Sequence, residues 1–241
     1  MGKTGTLLLV LMLAWLAAPA AAEEPDSAAA WEKLDRQYQT AARKFIKPWQ
    51  DAKAKGEKCE LDYTKHPSRT FLPRFSAFAE QYRGSDEAVK ALIHVIRYTN
   101  EKEERSAAVA ALIDGYVESK AIRPAIWILR TRAPDTLDTL IEKSPHRDIQ
   151  GSAMLARAQG LKGTDPARAL RMLKDVQRKY TDVVERGSTL AHKAEREIFE
   201  IEKLAVGKIA PEIDGEDLAG VSFKLSDYLG KVVMLDFWGD W

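Results

Sequence analysis

The chain has 241 residues, 45% of them hydrophobic and 30% charged, with a formal net charge of +1. That size holds one large or two modest domains, and the balance is that of an ordinary globular protein. Opposite charges are interspersed with no basic stripe or acidic tail, which excludes steering toward a polyanion, so no nucleic-acid partner is expected.

Taken in order, the chain begins with a positive n-region at Lys3, an apolar stretch Leu7–Ala18 and a small-residue cleavage site at Ala20-Ala21-Ala22. Together these define residues 1–22 as a secretory signal peptide cut after Ala22. The apolar stretch is short for a bilayer span, and no cysteine follows it for lipid attachment. An exported protein of the periplasm, envelope or exterior is therefore expected, without stable membrane insertion once the signal is removed. Export places the chain in an oxidising compartment. Cys59 is the single cysteine, flanked by Lys55, Lys58 and Glu60 in a polar connection, and it reads as an unpaired thiol rather than a nucleophile.

From residue 23 to residue 205 the pattern is helical. Trp31, Leu34, Tyr38, Ala41, Ala42, Phe45 and Ile46 recur at helical spacing, and Pro48 is expected to end or kink that helix. After the connection Ala52–Arg69, a second helix carries Phe71, Leu72, Phe75, Phe78, Ala79 and Tyr82 and stops at Gly84. Ser85 caps a third, with Asp86 and Glu87 complementing its dipole and Ala88, Leu92, Ile93, Val95 and Ile96 facing inward. A fourth spans Arg105–Ser119, with Ala108, Ala111, Leu112 and Tyr116 inward. Shorter pieces follow at Pro124–Arg130 and Pro134–Lys143, prolines near their N-termini. Further helices are expected at Arg147–Leu161, Ala167–Tyr180 and Thr189–Leu204. Helices joined by short polar turns give a mainly α fold, an irregular array similar to tetratricopeptide stacking.

No complete catalytic set stands out in this region. His66, His94, His146 and His192 lack the spacing of a helix-borne metal site, so no metal is expected, and His94 reads as a satisfied, partly buried core side chain. Trp31, Trp49, Phe75, Phe78 and Trp127 sit at helical spacing, which points to core rather than to a groove. Hydrolase elbows, phosphate-binding loops and dinucleotide fingerprints are missing from the sequence.

The last stretch, Val206–Trp241, changes character. Asp214-Gly215 and Ala219-Gly220 mark turns around the run Val221–Leu225, Ser226-Asp227 caps a single helical turn before Gly230, and Lys231–Trp238 is an apolar, β-branched and aromatic run with the look of a buried strand. The ordered set Gly207, Lys208, Ala210, Pro211, then Leu225, Ser226, Asp227, Tyr228, Gly230, Lys231, Val232, Val233, Phe237, Trp238 and Trp241 resembles the opening of the redoxin and TlpA-like branch of the thioredoxin superfamily. The resemblance implies an α/β thioredoxin-like domain, of which residues 206–241 are the first strands, and a family activity of thiol–disulfide oxidoreduction or peroxide reduction (the AhpC/TSA type) with no bound cofactor. In the family, Cys-x-x-Cys comes next, directly after the position of Trp241.

The resemblance also implies that Asp236 holds the buried acid position that takes a proton from the second cysteine, with Trp238 and Trp241 flanking the redox site. Dithiol exchange needs an attacking thiolate and a resolving thiol. With one cysteine, the chain as written lacks that pair, and the stretch is expected to be the opening of a longer domain. Two readings follow. One is a thiol–disulfide oxidoreductase acting on envelope thiols and disulfides, present here without its redox cysteines. The other is a non-catalytic exported module whose helices engage a protein partner.

Overall fold

The structure is a computed structural model and describes residues 26–236; the signal-peptide reading of residues 1–22 lies outside them. The fold is mainly α-helical. Among the described residues there are nine α-helices: α1 (Ser27–Ala54), α2 (Ser68–Gln81), α3 (Asp86–Tyr98), α4 (Lys102–Tyr116), α5 (Ala125–Arg132), α6 (Thr136–Lys143), α7 (Arg147–Leu161), α8 (Pro166–Lys179) and α9 (Leu190–Phe199). Two small antiparallel hairpins accompany them, β1 (Val184–Glu185) with β2 (Ser188–Thr189), and β3 (Asp214–Glu216) with β4 (Ser222–Lys224).

Capping side chains set several helix starts. Asp26 accepts from the Ala28 amide, Ser85 from Ala88, Asp165 from Arg168 and Thr189 from His192. Each satisfies a donor that the first turn leaves free. Pro48 does not end the first helix, which runs on to Ala54. Proline removes the bond to the carbonyl of Lys44, but Lys44 and residues 47–51 are exposed, so water can meet that carbonyl. Lys47 and Asp51 bridge the same turn at 3.0 Å. The fourth helix starts earlier than the sequence pattern places it, at Lys102, with Glu103 and Glu104 in its first turn, where carboxylates complement the dipole. Ala108, Leu112 and Tyr116 are buried there as expected, whereas Ala111 faces solvent. Past Phe199 the last helix continues as one π-helical turn, Glu200–Leu204.

Buried side chains form two clusters. The larger joins α1 to α7 and contains Tyr38, Phe71, Phe75, Phe78, Ile96, Leu112, Leu129, Leu140 and Ile149. The smaller joins α7 to α9 through Leu155, Ala158, Leu173, Val176, Tyr180 and Leu190. Helix α7 contributes to both, with Ile149, Ala153 and Ala156 in the first and Leu155 and Ala158 in the second. Charged side chains tie neighbouring helices over this core. Arg157, almost fully buried, reaches Asp135 at 2.6 Å and Asp138 at 3.3 Å, and Arg132 donates to the carbonyls of Ile96 and Thr99 that close α3.

One tight helix contact centres on a glycine. A Cβ built at Gly151 would lie 2.7 Å from Cδ1 of Tyr180 and 2.8 Å from Cδ1 of Leu190. Gly151→Ala is expected to lower the unfolding free energy by about 1–2 kcal/mol, because the overpacking outweighs alanine's better helix propensity. Chemical denaturation would check it, and a stabilised variant would contradict the contact.

Candidate functional site

The C-terminal motif is the first place to look for chemistry. Strands β3 and β4 pair with Asp214 opposite Lys224, Gly215 opposite Phe223 and Glu216 opposite Ser222. The turn between them is held by Asp217, whose carboxylate accepts from Ala219 at 2.8 Å and Val221 at 2.9 Å, and by Gly220 at φ +76°. Asp214-Gly215 therefore lies within a strand rather than at a turn; the Phe223 ring covers the glycine, 3.0 Å from where a Cβ would sit. A short 3-10 turn, Leu225–Tyr228, follows, with the Asp227 carboxylate reaching back to the Lys224 amide at 2.8 Å. Glu212 accepts from the Ser226 amide at 3.0 Å, and its hydrogen bonds with Ser226 hold its carboxyl below the usual range.

Beyond this hairpin, Val232–Asp236 is not in a strand and is exposed. A buried strand needs neighbours on both sides, and the three-residue hairpin does not supply them. Asp236 is exposed at the end of this segment. Phe237, Trp238 and Trp241 lie outside the described residues, and the expected grouping of Asp236 with Trp238 and Trp241 lies outside them too. Ile209 at 94% and Met234 at 92% exposure illustrate how much apolar surface the stretch presents. Removing residues 206–241 is expected to raise solubility, since such segments recruit other chains. Sedimentation of both forms at equal concentration would test this, and identical self-association would contradict it.

The histidines are scattered. His66 Nδ1 lies 2.8 Å from the Ser68 hydroxyl, His146 Nε2 lies 2.9 Å from the Glu118 carbonyl, and His192 is exposed near Glu195. His94 differs from the satisfied side chain expected of it. Its Nδ1 is buried without a hydrogen-bond partner, and its ring stacks on Phe75 at 4.5 Å, with Tyr38 at 5.2 Å and Trp31 at 5.9 Å. Burial, with the Arg97 charge assisting, pushes its pKa down to about 4, which leaves a neutral ring at physiological pH. Cys59 is partly exposed, its Sγ 3.9 Å from the Glu60 carbonyl.

A second place was not legible as a site in the sequence. Helices α5, α7 and α9 and the β1–β2 hairpin enclose a trough of about 660 Å³, within the range of ligand clefts. Ser152, Leu155, Ala156 and Gln159 line it from α7, at the spacing that puts them on one helical face. From α5 comes Trp127, assigned to the core by its periodicity but in fact 54% exposed. The Arg130 guanidinium lies 3.9 Å from its ring centroid and Arg186 5.7 Å. Trp49, given the same assignment, is also exposed.

Arg186 and Gly187, at φ +51° and +78°, form the two-residue turn of the hairpin, the conformation that matches strand twist. Lys193 on α9 clamps the hairpin through Glu185 at 2.9 Å. Ser152 is 4% exposed and its Oγ has no partner. A serine inside a helix usually bonds the carbonyl four residues back, and leaving a buried hydroxyl unmade costs about 1–3 kcal/mol.

No protein-family profile matches the sequence, and no solved structure matches it. Among curated proteins, the thiol-disulfide oxidoreductase ResA of Geobacillus kaustophilus is 53% identical over 38 residues, which make up 16% of this chain and 22% of that protein. The ResA proteins of Bacillus thuringiensis and Bacillus cereus are each 48% identical over 40 residues, 17% of this chain and 23% of theirs. The chain thus spans less than a quarter of the length of the curated relatives it matches. A short part of it is related to thioredoxin-like thiol–disulfide oxidoreductases. Among the described residues no helix is long and apolar enough to cross a membrane.

Proposed function

We infer that this sequence belongs to an exported thiol–disulfide oxidoreductase of the TlpA-like kind. In this reading residues 1–22 are a signal peptide, residues 23–205 a helical accessory domain and residues 206–241 the opening of the thioredoxin-like domain. The observation that carries it is the ordered motif from Gly207 to Trp241, supported by local matches of 38 and 40 residues to ResA proteins, about the size of that stretch. Its substrates would be thiols and disulfides of envelope proteins, exchanged through a mixed disulfide. Asp236 would accept a proton from the buried cysteine once a complete sheet covers it.

Cys59 is not assigned to the exchange, because it stands alone in a loop far in sequence from the motif. The test begins with the encoding transcript beyond the codon for Trp241. Codons for Cys-x-x-Cys followed by about a hundred further residues are expected, and the protein they encode should reduce insulin disulfides, with serine at the first of those cysteines abolishing the activity. A stop codon directly after Trp241, or a complete protein inactive on both disulfides and peroxide, would overturn the reading.

A further inference from the structure

Helix α2 is capped by an imidazole. In its first turn the Arg69 amide donates to the His66 carbonyl at 3.2 Å, and the Thr70 and Phe71 amides both donate to the Pro67 carbonyl at 3.1 Å. The Ser68 amide donates instead to His66 Nδ1 at 3.2 Å, and the Ser68 hydroxyl lies 2.8 Å from the same nitrogen. The ring does for Ser68 what the Asp62 carboxylate does for the Thr64 amide, accepting from the residue two places on. An amide can only donate, so Nδ1 offers its lone pair and the neutral ring carries its proton on Nε2. The same ring ties the connection after α1 to the core. It lies 5.0 Å from Phe45 of α1, 6.3 Å from Tyr63, on which it stacks, and 5.8 Å from Tyr98 of α3.

We propose that His66 is an acid-released latch: the neutral imidazole pins the connection 55–67 to the start of α2, and protonation at Nδ1 frees it. Imidazolium has an N–H at both nitrogens and accepts nothing. The Ser68 amide, in a residue only 8% exposed, would then lose its partner, and a cation would stand at the positive end of a 14-residue helix. Charged groups from the neighbouring elements line the cleft beside the ring: Arg69 of α2, Arg97 of α3, Glu101 beyond it, Glu104 of α4 and Arg132 of α5. Glu104 is bound to Thr99 and Ser76, and Arg132 to the carbonyls of Ile96 and Thr99. That leaves Arg69 and Arg97 against Glu101, a balance that does not favour an added cation. Phe45, Tyr63 and Tyr98 meet the imidazole with uncharged rings, and in its own turn Asp62 and Lys65 pair with each other at 3.2 Å. Burial holds the His66 pKa below its ordinary 6.5. Above pH 6.5 the latch is therefore fully shut. As pH falls from there toward the lower value of the closed form, the open connection takes up the proton first and gains population. The inference is independent of the thiol–disulfide reading, as none of these residues belongs to the C-terminal motif.

The test is hydrogen exchange on the whole chain, followed by NMR at about pH 7 and about pH 5.5 and corrected for the intrinsic rate at each. Protection of the Lys65, His66 and Ser68 amides is expected to fall about five- to tenfold over that range. His66→Asn offers a carbonyl acceptor at the same place that does not titrate, and it should keep those amides protected at both pH values. His66→Ala, which offers no acceptor, should leave them at both at least as open as in the acidified native chain. His94, 5.8 Å from Tyr98, acts on the unfolding of the whole chain. Its effect reaches the amides of α7 in the native chain and in His66→Asn alike, which separates it from the latch. Constant protection of the three amides in the native chain, an equal fall in His66→Asn, or full protection in His66→Ala at neutral pH would each overturn the proposal. So would an Nδ1 that NMR finds protonated at neutral pH.

Discussion

Replacing Phe75 by alanine is expected to lower the unfolding free energy by about 3–5 kcal/mol, the range for deleting a buried aromatic side chain. Phe75 is 0% exposed and packs among four rings of the aromatic cluster under α1. Its ring lies 4.5 Å from His94, 5.4 Å from Tyr38 and 6.1 Å from both Trp31 and Phe71. Those rings come from α1, α2 and α3, so the cavity would open where three helices meet. Rings fixed by one another collapse poorly into such a space, which places the cost toward the upper end. Phe75→Leu, which refills most of the volume, should recover more than half of the loss. Urea denaturation followed by circular dichroism would measure both, and a loss below about 1 kcal/mol for alanine would contradict this account of the core.

Acidification is expected to act through the neighbour of that ring. His94 titrates near 4 in the folded chain against an ordinary value of 6.5, so the fold favours the neutral imidazole. Above pH 6.5 neither state carries the proton, and the stability from this group is fully present. Between pH 6.5 and 4 the unfolded chain takes up the proton and the folded chain does not, so stability falls with pH; below 4 both are protonated and the penalty levels off. The difference bounds the effect at about 3 kcal/mol, and about 2 kcal/mol is expected, since part of the ring reaches water. Arg97 lowers and Asp35 raises this pKa, burial outweighing both. His94→Leu should remove the slope. Unfolding curves for the two chains at several pH values between 7 and 4 would check this, and parallel losses in both would show that other groups carry the acid sensitivity.

Much of the fold was legible in the sequence because its helices have strong apolar stripes. Residues such as Phe71, Phe75, Phe78, Leu92 and Ile96 recur at helical spacing and are all buried, and α7 has the bounds that its pattern and glycines indicated. Boundaries failed where local pattern and capping disagree, as at Lys102, where acidic residues extend the helix beyond its apolar stripe. The β1–β2 hairpin was missed because Arg186 supplies a positive φ that sequence reasoning assigns to glycine or asparagine.

The trough was illegible for a different reason. Periodicity places Trp127 and Ser152 on helix faces but does not say which face meets another helix and which meets the hairpin. A tryptophan at helical spacing reads as core, and only the position of Arg186 across the chain distinguishes it from one. The C-terminal motif was the reverse case. Its sequence pattern was plain, while Val232–Asp236 lies outside any sheet because the residues that would flank it are not its neighbours here.

The sharing of α7 between two cores has a consequence for partial opening. The first cluster holds α7 through Ile149, Ala153 and Ala156, while α8 and α9 depend on the smaller second cluster. If α8 and α9 detach, α7 keeps one packed face and its helical hydrogen bonds; if the first cluster melts, the second loses the platform on which it is built. Opening should therefore be one-way, and hydrogen exchange should find the amides of α8 and α9 released at lower free energy than those of α7.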